Sequence, residues 1–387
     1  MAKHKIAVFI KSYYPYQELK SSGQIVMGLN EIGIPTKLVT IKNSQLNDYK
    51  PPFNTIAVSN ARLLNTGFWK NLHEDTIIAY FDIGDQKIYK AIKKSKKKLV
   101  LKMDHDGKII YPAYNYTQQK FWNKGILVGI LRIIKWYIPC FRQYFSYKFL
   151  RIIQTTDCVI IESNQAKSNI LSTLKFWGEE IESKKIFVCA NPVTPDIIQM
   201  KVDRKSKKNI VIAIGRWEDY QSKNTFVMIG ALKKFLAEHK EWKAILIGSG
   251  KNLLSKIIKN YPEDIRKRIF IVGIIRHEKI KVFLKRSKIL FIPSRHESFG
   301  LVAAEAALAG CSIVGTPLES LWDLTRKGTT GTLSKNFKLK EIQKALEDDA
   351  KKWQKSYYNP YNISSYWKGK LNRKVIAKRI IKILEKL

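Results

Sequence analysis

The chain has 387 residues and is 45% hydrophobic, 11% aromatic and 26% charged, which suits two folded domains and excludes disorder or a collagen-like repeat. Its 70 Lys and Arg against 32 Asp and Glu give a formal charge of +38. That imbalance points to anionic partners (phosphorylated ligands, anionic lipid or nucleic acid) and says nothing about fold. Cys140, Cys158, Cys189 and Cys311 form no C-x-x-C pair, which excludes a zinc ribbon or thioredoxin motif and suits a reducing compartment.

In chain order, short apolar runs at 5–10, 36–40, 76–81, 99–103, 158–162 and 186–190 alternate with helical segments, the first of them at 23–32. Unbroken apolar runs of this length predict parallel strands covered on both faces. The apolar run at the start is cut by Lys11 and is too short for a signal peptide. No stretch of ~18 uncharged apolar residues occurs, so no spanning helix and a cytoplasmic protein are expected. A polar, basic stretch at 195–209 reads as a linker. Strands are then predicted at 210–214, 243–247, 268–272, 288–292 and 312–315, with helices at 224–238 and around 303–308. A basic amphipathic helix, 374–387, closes the chain. The reading is two Rossmann-like α/β domains, 1–195 and 205–369, with 370–387 packing back on the first.

Residues 107–156 depart from this pattern. They contain no Asp or Glu, eight Lys or Arg and twelve aromatics, with Pro139 as a predicted helix break. Three readings stay open: a monotopic surface on anionic lipid, ordinary core helices, and aromatic stacking on nucleic-acid bases. The run GILVGILRIIKWYI is more apolar than a nucleic-acid face needs, and no nucleic-acid-binding module is recognisable, so no nucleic-acid partner is expected.

The segment Glu297-Ser298-Phe299-Gly300-Leu301, ending at Glu305, follows the strand 288–292. A strand, a glycine loop and a helix start aim free amide groups at one point, which is an anion site. Glu297 and Glu305, about one helical turn into the next element, suit sugar hydroxyls, because a carboxylate accepts two hydrogen bonds from a diol. Arg216, after Gly215 at the end of a strand, can fork onto two phosphate oxygens, and Lys223 supplies a point charge. Amide groups around Gly23 and Gly300 complete a phosphate cradle.

The stretch 289–315, with its E-x7-E spacing, resembles the signature of glycosyltransferase family 4, retaining enzymes of the GT-B fold. Residues 210–223 resemble that family's G-R-x(n)-K segment, although Asn224 stands where the family usually has Gly. Residues 245–250, 270–277 and 191–193 resemble its following strand and loop, its base-binding turn and the end of its first domain. Residues 13–40 are similar to its opening strand, loop and helix.

The resemblance implies a GT-B architecture with the active site in the cleft between the domains. It implies a UDP- or GDP-linked sugar donor, a glycan or lipid-linked acceptor, and no metal or other cofactor. Arg216, Lys223, Glu297 and His105 would be catalytic. Glu305 would hold the ribose, Glu297 the transferred sugar and Ile275 the base. Gly23, Gly215, Ser298, Phe299, Gly300 and Leu301 would line the substrate site.

Asp104-His105-Asp106 admits two functional readings: a metal-binding D-x-D, or a first-domain histidine that contacts the acceptor or sugar. Turn-forming aspartates are the plain alternative. Rival functions are a basic nucleic-acid-binding protein and an inactive glycosyltransferase-like scaffold.

Overall fold

The structure is a computed structural model that describes residues 4–14, 16–42, 51–105, 107, 127, 130, 139–176 and 185–387. The chain divides into two units: Met1–Thr194 with Leu371–Leu387, and Pro195–Lys370.

In unit 1 the strands are β1 (Ile6–Ile10), β2 (Thr36–Ile41), β3 (Thr55–Val58), β4 (Thr76–Tyr80), β5 (Lys98–Met103), β6 (Cys158–Ile161) and β7 (Ile186–Val188). Among the described residues they form one sheet in the order β3-β2-β1-β4-β5-β6-β7, with every pair parallel. The apolar runs are unbroken because both faces are covered. Ala7 and Phe9 face one core with Trp69 and Phe149, whereas Ile6, Val8 and Ile10 face another with Ile25, Leu29 and Ile380. That split follows the two-residue period of a strand.

Helix Ser21–Glu31 covers the second face, and helix Arg373–Leu384 packs on it. The crossing is tight: a Cβ on Gly28 would stand 2.7 Å from the Arg373 carbonyl oxygen. Arg373 also pairs with Glu31.

Unit 2 contains β8 (Lys208–Ile214), β9 (Lys243–Ile247), β10 (Ile269–Gly273), β11 (Ser287–Ile292), β12 (Ser312–Gly315) and β13 (Gly331–Leu333), in the order β10-β9-β8-β11-β12-β13, again all parallel among the described residues. The stretch read as a linker is not one. Pro195–Ile198 is a helix and β8 already starts at Lys208. Lys207, only 6% exposed, donates to the carbonyls of Leu284 at 3.0 Å and Ser287 at 2.7 Å, tying this segment to the end of helix His277–Arg286 and the start of β11.

β3 and β13 escaped the sequence reading. Both are short strands at an end of their sheet, so neither needs an unbroken apolar run. Much of 107–156 lies outside the described residues. Its last third is a core helix: Pro139–Thr155 starts at the proline expected to break it, and Phe149, Ile152 and Ile153 are fully buried. No helix among the described residues is long and apolar enough to cross a membrane.

Candidate active site

In a doubly wound sheet, ligands bind beyond the carboxyl ends of the strands where the strand order reverses. In unit 2 that point lies between β8 and β11. The loops that follow these two strands carry Gly215 to Asn224 and Pro293 to Gly300. They are tied together: the Arg295 amide donates to the Ser222 carbonyl at 2.8 Å, and Arg295 Nε donates to Asn224 Oδ1 at 3.3 Å. This brings Lys223 and Glu297 together, with Nζ 2.6 Å from Oε1 and both side chains mostly buried. Ser320 Oγ donates to the Glu297 carbonyl at 3.2 Å and steadies the loop.

Asn224 has φ +53°, the left-handed region that glycine enters freely and asparagine tolerates better than most. Asparagine can therefore occupy this left-handed position, where the resembling family usually has glycine.

Gly300 has φ +78° and precedes helix Leu301–Leu308, which has no side-chain cap. The first helical amides are left for an anion, at the positive end of the helix dipole. Phe299 is buried beneath this turn, while Ser298 and Leu301 are half-buried.

Arg216 is not drawn in with them. Its side chain is 77% exposed, and its guanidinium is 3.9 Å from Asp219. Gly215 is fixed by its amide, which donates to Ile247 at 3.0 Å, and the neighbouring Gly248 amide donates to Gly273 at 2.8 Å. These bonds align the ends of β8, β9 and β10. Ile275 is half-buried just beyond, next to Ile274, which is 79% exposed.

Glu305 is 4% exposed, and its Oε1 lies 2.9 Å from His277 Nε2. The hydrogen bond to Glu305 holds the imidazole above its ordinary value, against the effect of burial. Sequence reasoning missed His277 as a site residue. Its only signal was its place at the end of the turn 270–277.

In unit 1, Gly23 sits in the first turn of helix Ser21–Glu31. A Cβ there would collide with the Gln17 and Glu18 backbone, so this glycine serves a close approach of the preceding 3-10 turn. The helix likewise has no side-chain cap. His105 follows β5, and its Nδ1 accepts the Gly107 amide at 3.2 Å. Asp106 lies outside the described residues. Asp104 receives Lys102 Nζ at 2.6 Å and the Ser21 hydroxyl, so its carboxylate is already engaged by a cation.

Two parallel-sheet α/β units of this kind are the GT-B fold of glycosyltransferases. The crystal structure of Anabaena HepE in complex with UDP is similar over 99% of this chain and 100% of that one, with a TM-score of 0.71 and 14% identity. Residues 196–359 match the family described as glycosyl transferases group 1, a span that holds Arg216, Lys223, Glu297 and Glu305. An uncharacterized glycosyltransferase of Methanocaldococcus jannaschii is 26% identical over 188 residues, 45% of this chain and 45% of that protein. The phosphatidylinositol N-acetylglucosaminyltransferase gpi3 subunit of Schizosaccharomyces pombe is 23% identical over 137 residues, 35% of this chain and 30% of that protein. The matched region spans less than half the length of either of these relatives.

Proposed function

We propose that this protein transfers a sugar from a nucleotide-sugar donor, UDP- or GDP-linked, to a glycan or lipid-linked acceptor, with retention at the anomeric carbon and without a metal. Unit 2 takes the donor and unit 1 the acceptor. The observation that carries this reading is the Lys223–Glu297 pair beside the uncapped helix Leu301–Leu308, at the reversal of strand order. One loop cluster thus offers a cation and bare amides for a diphosphate and a carboxylate for sugar hydroxyls. The group 1 family match over this span and the UDP in the similar Anabaena structure support it. The name of the Schizosaccharomyces relative, which specifies a phosphatidylinositol acceptor, supports the lipid-linked alternative and a place on a membrane surface.

In this reading the diphosphate competes with Glu297 for the Lys223 ammonium and releases the carboxylate to the sugar hydroxyls. Arg216, exposed beside the loop, folds onto the phosphates. As the bond from the anomeric carbon to the diphosphate breaks, negative charge grows on the leaving oxygen. Preorganised cations and amides stabilise that charge more than they stabilise the bound donor. The acceptor oxygen takes the anomeric carbon, and its proton leaves with the diphosphate. Glu305, oriented by His277, receives the ribose.

Incubation with a panel of UDP- and GDP-sugars, read as nucleoside diphosphate release and as the anomeric configuration of the product by NMR, tests this. Release with one donor and a retained configuration are expected. An inverted product removes retention. No release with any donor, together with tight nucleic-acid binding, removes the transferase reading.

A further inference from the structure

Unit 1 buries a lysine that a sheet core has no need of. Lys102 lies inside β5 with 1% of its surface exposed. Burying an ammonium costs several kcal/mol unless it is closely paired, and an aliphatic side chain there would pack without that cost. The ammonium is aimed at the carboxyl end of the sheet, where its Nζ lies 2.6 Å from Asp104 Oδ1.

Three more groups converge on the same carboxylate. Ser21, the first residue of the uncapped helix after β1, donates to Asp104 Oδ2. The Glu162 carboxyl, at the end of β6 and 3% exposed, meets Asp104 as well. Tyr80, at the end of β4, faces both. Despite these partners the Asp104 side chain stays 32% exposed, while Lys102 and Glu162 beside it are buried. The order of the unit 1 sheet reverses between β1 and β4, and the residues here come from the end of β4, from its neighbour β5 and from the helix after β1.

A second observation points to a ligand. Asn191, 6% exposed, donates through Nδ2 to Glu162 at 2.6 Å and leaves its Oδ1 buried without a donor. An unmatched buried acceptor on a residue bonded to Glu162, itself a partner of Asp104, asks for a group that brings hydrogen-bond donors.

We propose that Asp104 is the group in unit 1 that accepts the hydrogen bond of the incoming acceptor hydroxyl, with Lys102, Ser21 and Glu162 as its positioning residues and Asn191 as a second hydroxyl contact. The proposal rests on the glycosyl-transfer reading and gives that reading its acceptor residue. The ligand class is a polyol or sugar hydroxyl. The charge states agree with this role. Burial acts to raise the Asp104 carboxyl, but Lys102, Ser21 and Glu162 hold it below the ordinary range, so it stays an anion and an acceptor. Burial, then the charge of Asp104, push Glu162 up to about 8, so at neutral pH its proton sits against Asp104. Burial would lower the Lys102 ammonium, and Asp104 and Glu162 keep it above its usual value. Cys189, which burial pushes up, remains a neutral thiol beside them.

The test uses the full chain, UDP and a UDP-sugar on which the wild type turns over. Asp104→Asn keeps the shape and removes the charge. It should lower the turnover of sugar transfer at least tenfold while leaving UDP affinity by calorimetry within twofold of wild type. Ser21→Ala, at the edge of the network, should give a smaller loss with an unchanged melt. Glu162→Gln should abolish the alkaline limb of the pH profile near pH 8, which a purely structural residue would not do. Full activity of Asp104→Asn with normal UDP binding overturns the proposal and leaves the transferase reading standing. A wild type that binds no nucleotide and turns over no donor removes the reading and the proposal together.

Discussion

Lys223 and Glu297 hold each other at 2.6 Å, whereas Arg216 stands almost free in solvent, so the two cations differ in what they contribute before a ligand arrives. Arg216→Ala and Lys223→Ala should each lower turnover by ~10²–10³, the usual cost of losing one preorganised charge at a developing oxyanion. Melting of Arg216→Ala should not move, and steady-state kinetics beside a thermal melt check both. The two carboxylates separate in another way. Glu305→Gln should weaken free UDP and the intact donor alike, because the ribose is common to both, and Glu297→Gln should spare UDP and weaken the donor. Calorimetry with the two ligands reads the difference, and equal effects from both variants would contradict the split of roles. Lys223, Glu297 and Glu305 were legible in the sequence because their spacing from glycines and from a strand end is itself a pattern. His277 and Lys102 were not. A lone histidine or lysine carries no periodic signal: His277 acquires its meaning from Glu305 28 positions away, and Lys102 from burial that brings Ser21 and Glu162 to its partner Asp104.

At the scale of elements, the parallel strands were legible because burial on both faces forces unbroken apolar runs. The short end strands β3 and β13 were not, since part of each is exposed or only half-buried. One junction was invisible to any local pattern. Helix Leu339–Gln354 is fastened to its sheet by Asp349, fully buried, which accepts from Ser312 Oγ at 2.5 Å, Thr332 Oγ1 at 2.8 Å and Tyr358 Oη at 2.5 Å. Burial pushes its carboxyl up to about 6 against the pull of those three donors. The folded state therefore holds a proton that the unfolded chain releases near pH 4. The contribution of this group to stability is full below that value and falls as pH rises from about 4 through 6. Asp349→Asn, which cannot ionise, should flatten this part of the stability curve. Urea midpoints between pH 4 and 7 on both proteins measure it, and an unchanged slope would rule the assignment out.

For the whole molecule, the net charge of +38 fits the proposal that cations, with no metal, hold the donor phosphates, and Asp104 is already paired with Lys102. Turnover should persist in excess chelator. Complete loss restored by manganese would revive the D-x-D alternative. The same charge bears on the acceptor. Each Lys or Arg near an anionic leaflet is worth ~1 kcal/mol, so the acid-free segment 107–156 should draw the protein onto vesicles containing anionic lipid at low salt and release it in part at high salt. Lys124, Arg132 and Lys135, which lie outside the described residues, replaced together by Gln should weaken flotation with such vesicles and leave UDP binding unchanged. Indifference to the vesicles would end this reading.

The placement of helix Arg373–Leu384 in unit 1 has a consequence for biosynthesis. The face of helix Ser21–Glu31 that carries Ile25 and Leu29 is covered by Ile376 and Ile380, and the whole of unit 2, Pro195–Lys370, is threaded between the two partners. A ribosome adding 5–20 residues per second takes about 20 to 70 seconds to pass from one to the other. During that interval unit 1 waits with an apolar stripe open, whereas unit 2, contiguous in sequence, has all its strands as soon as it emerges. The part of the protein begun first is thus completed last, and the nascent chain has an exposed surface that a chaperone could hold until the final helix arrives.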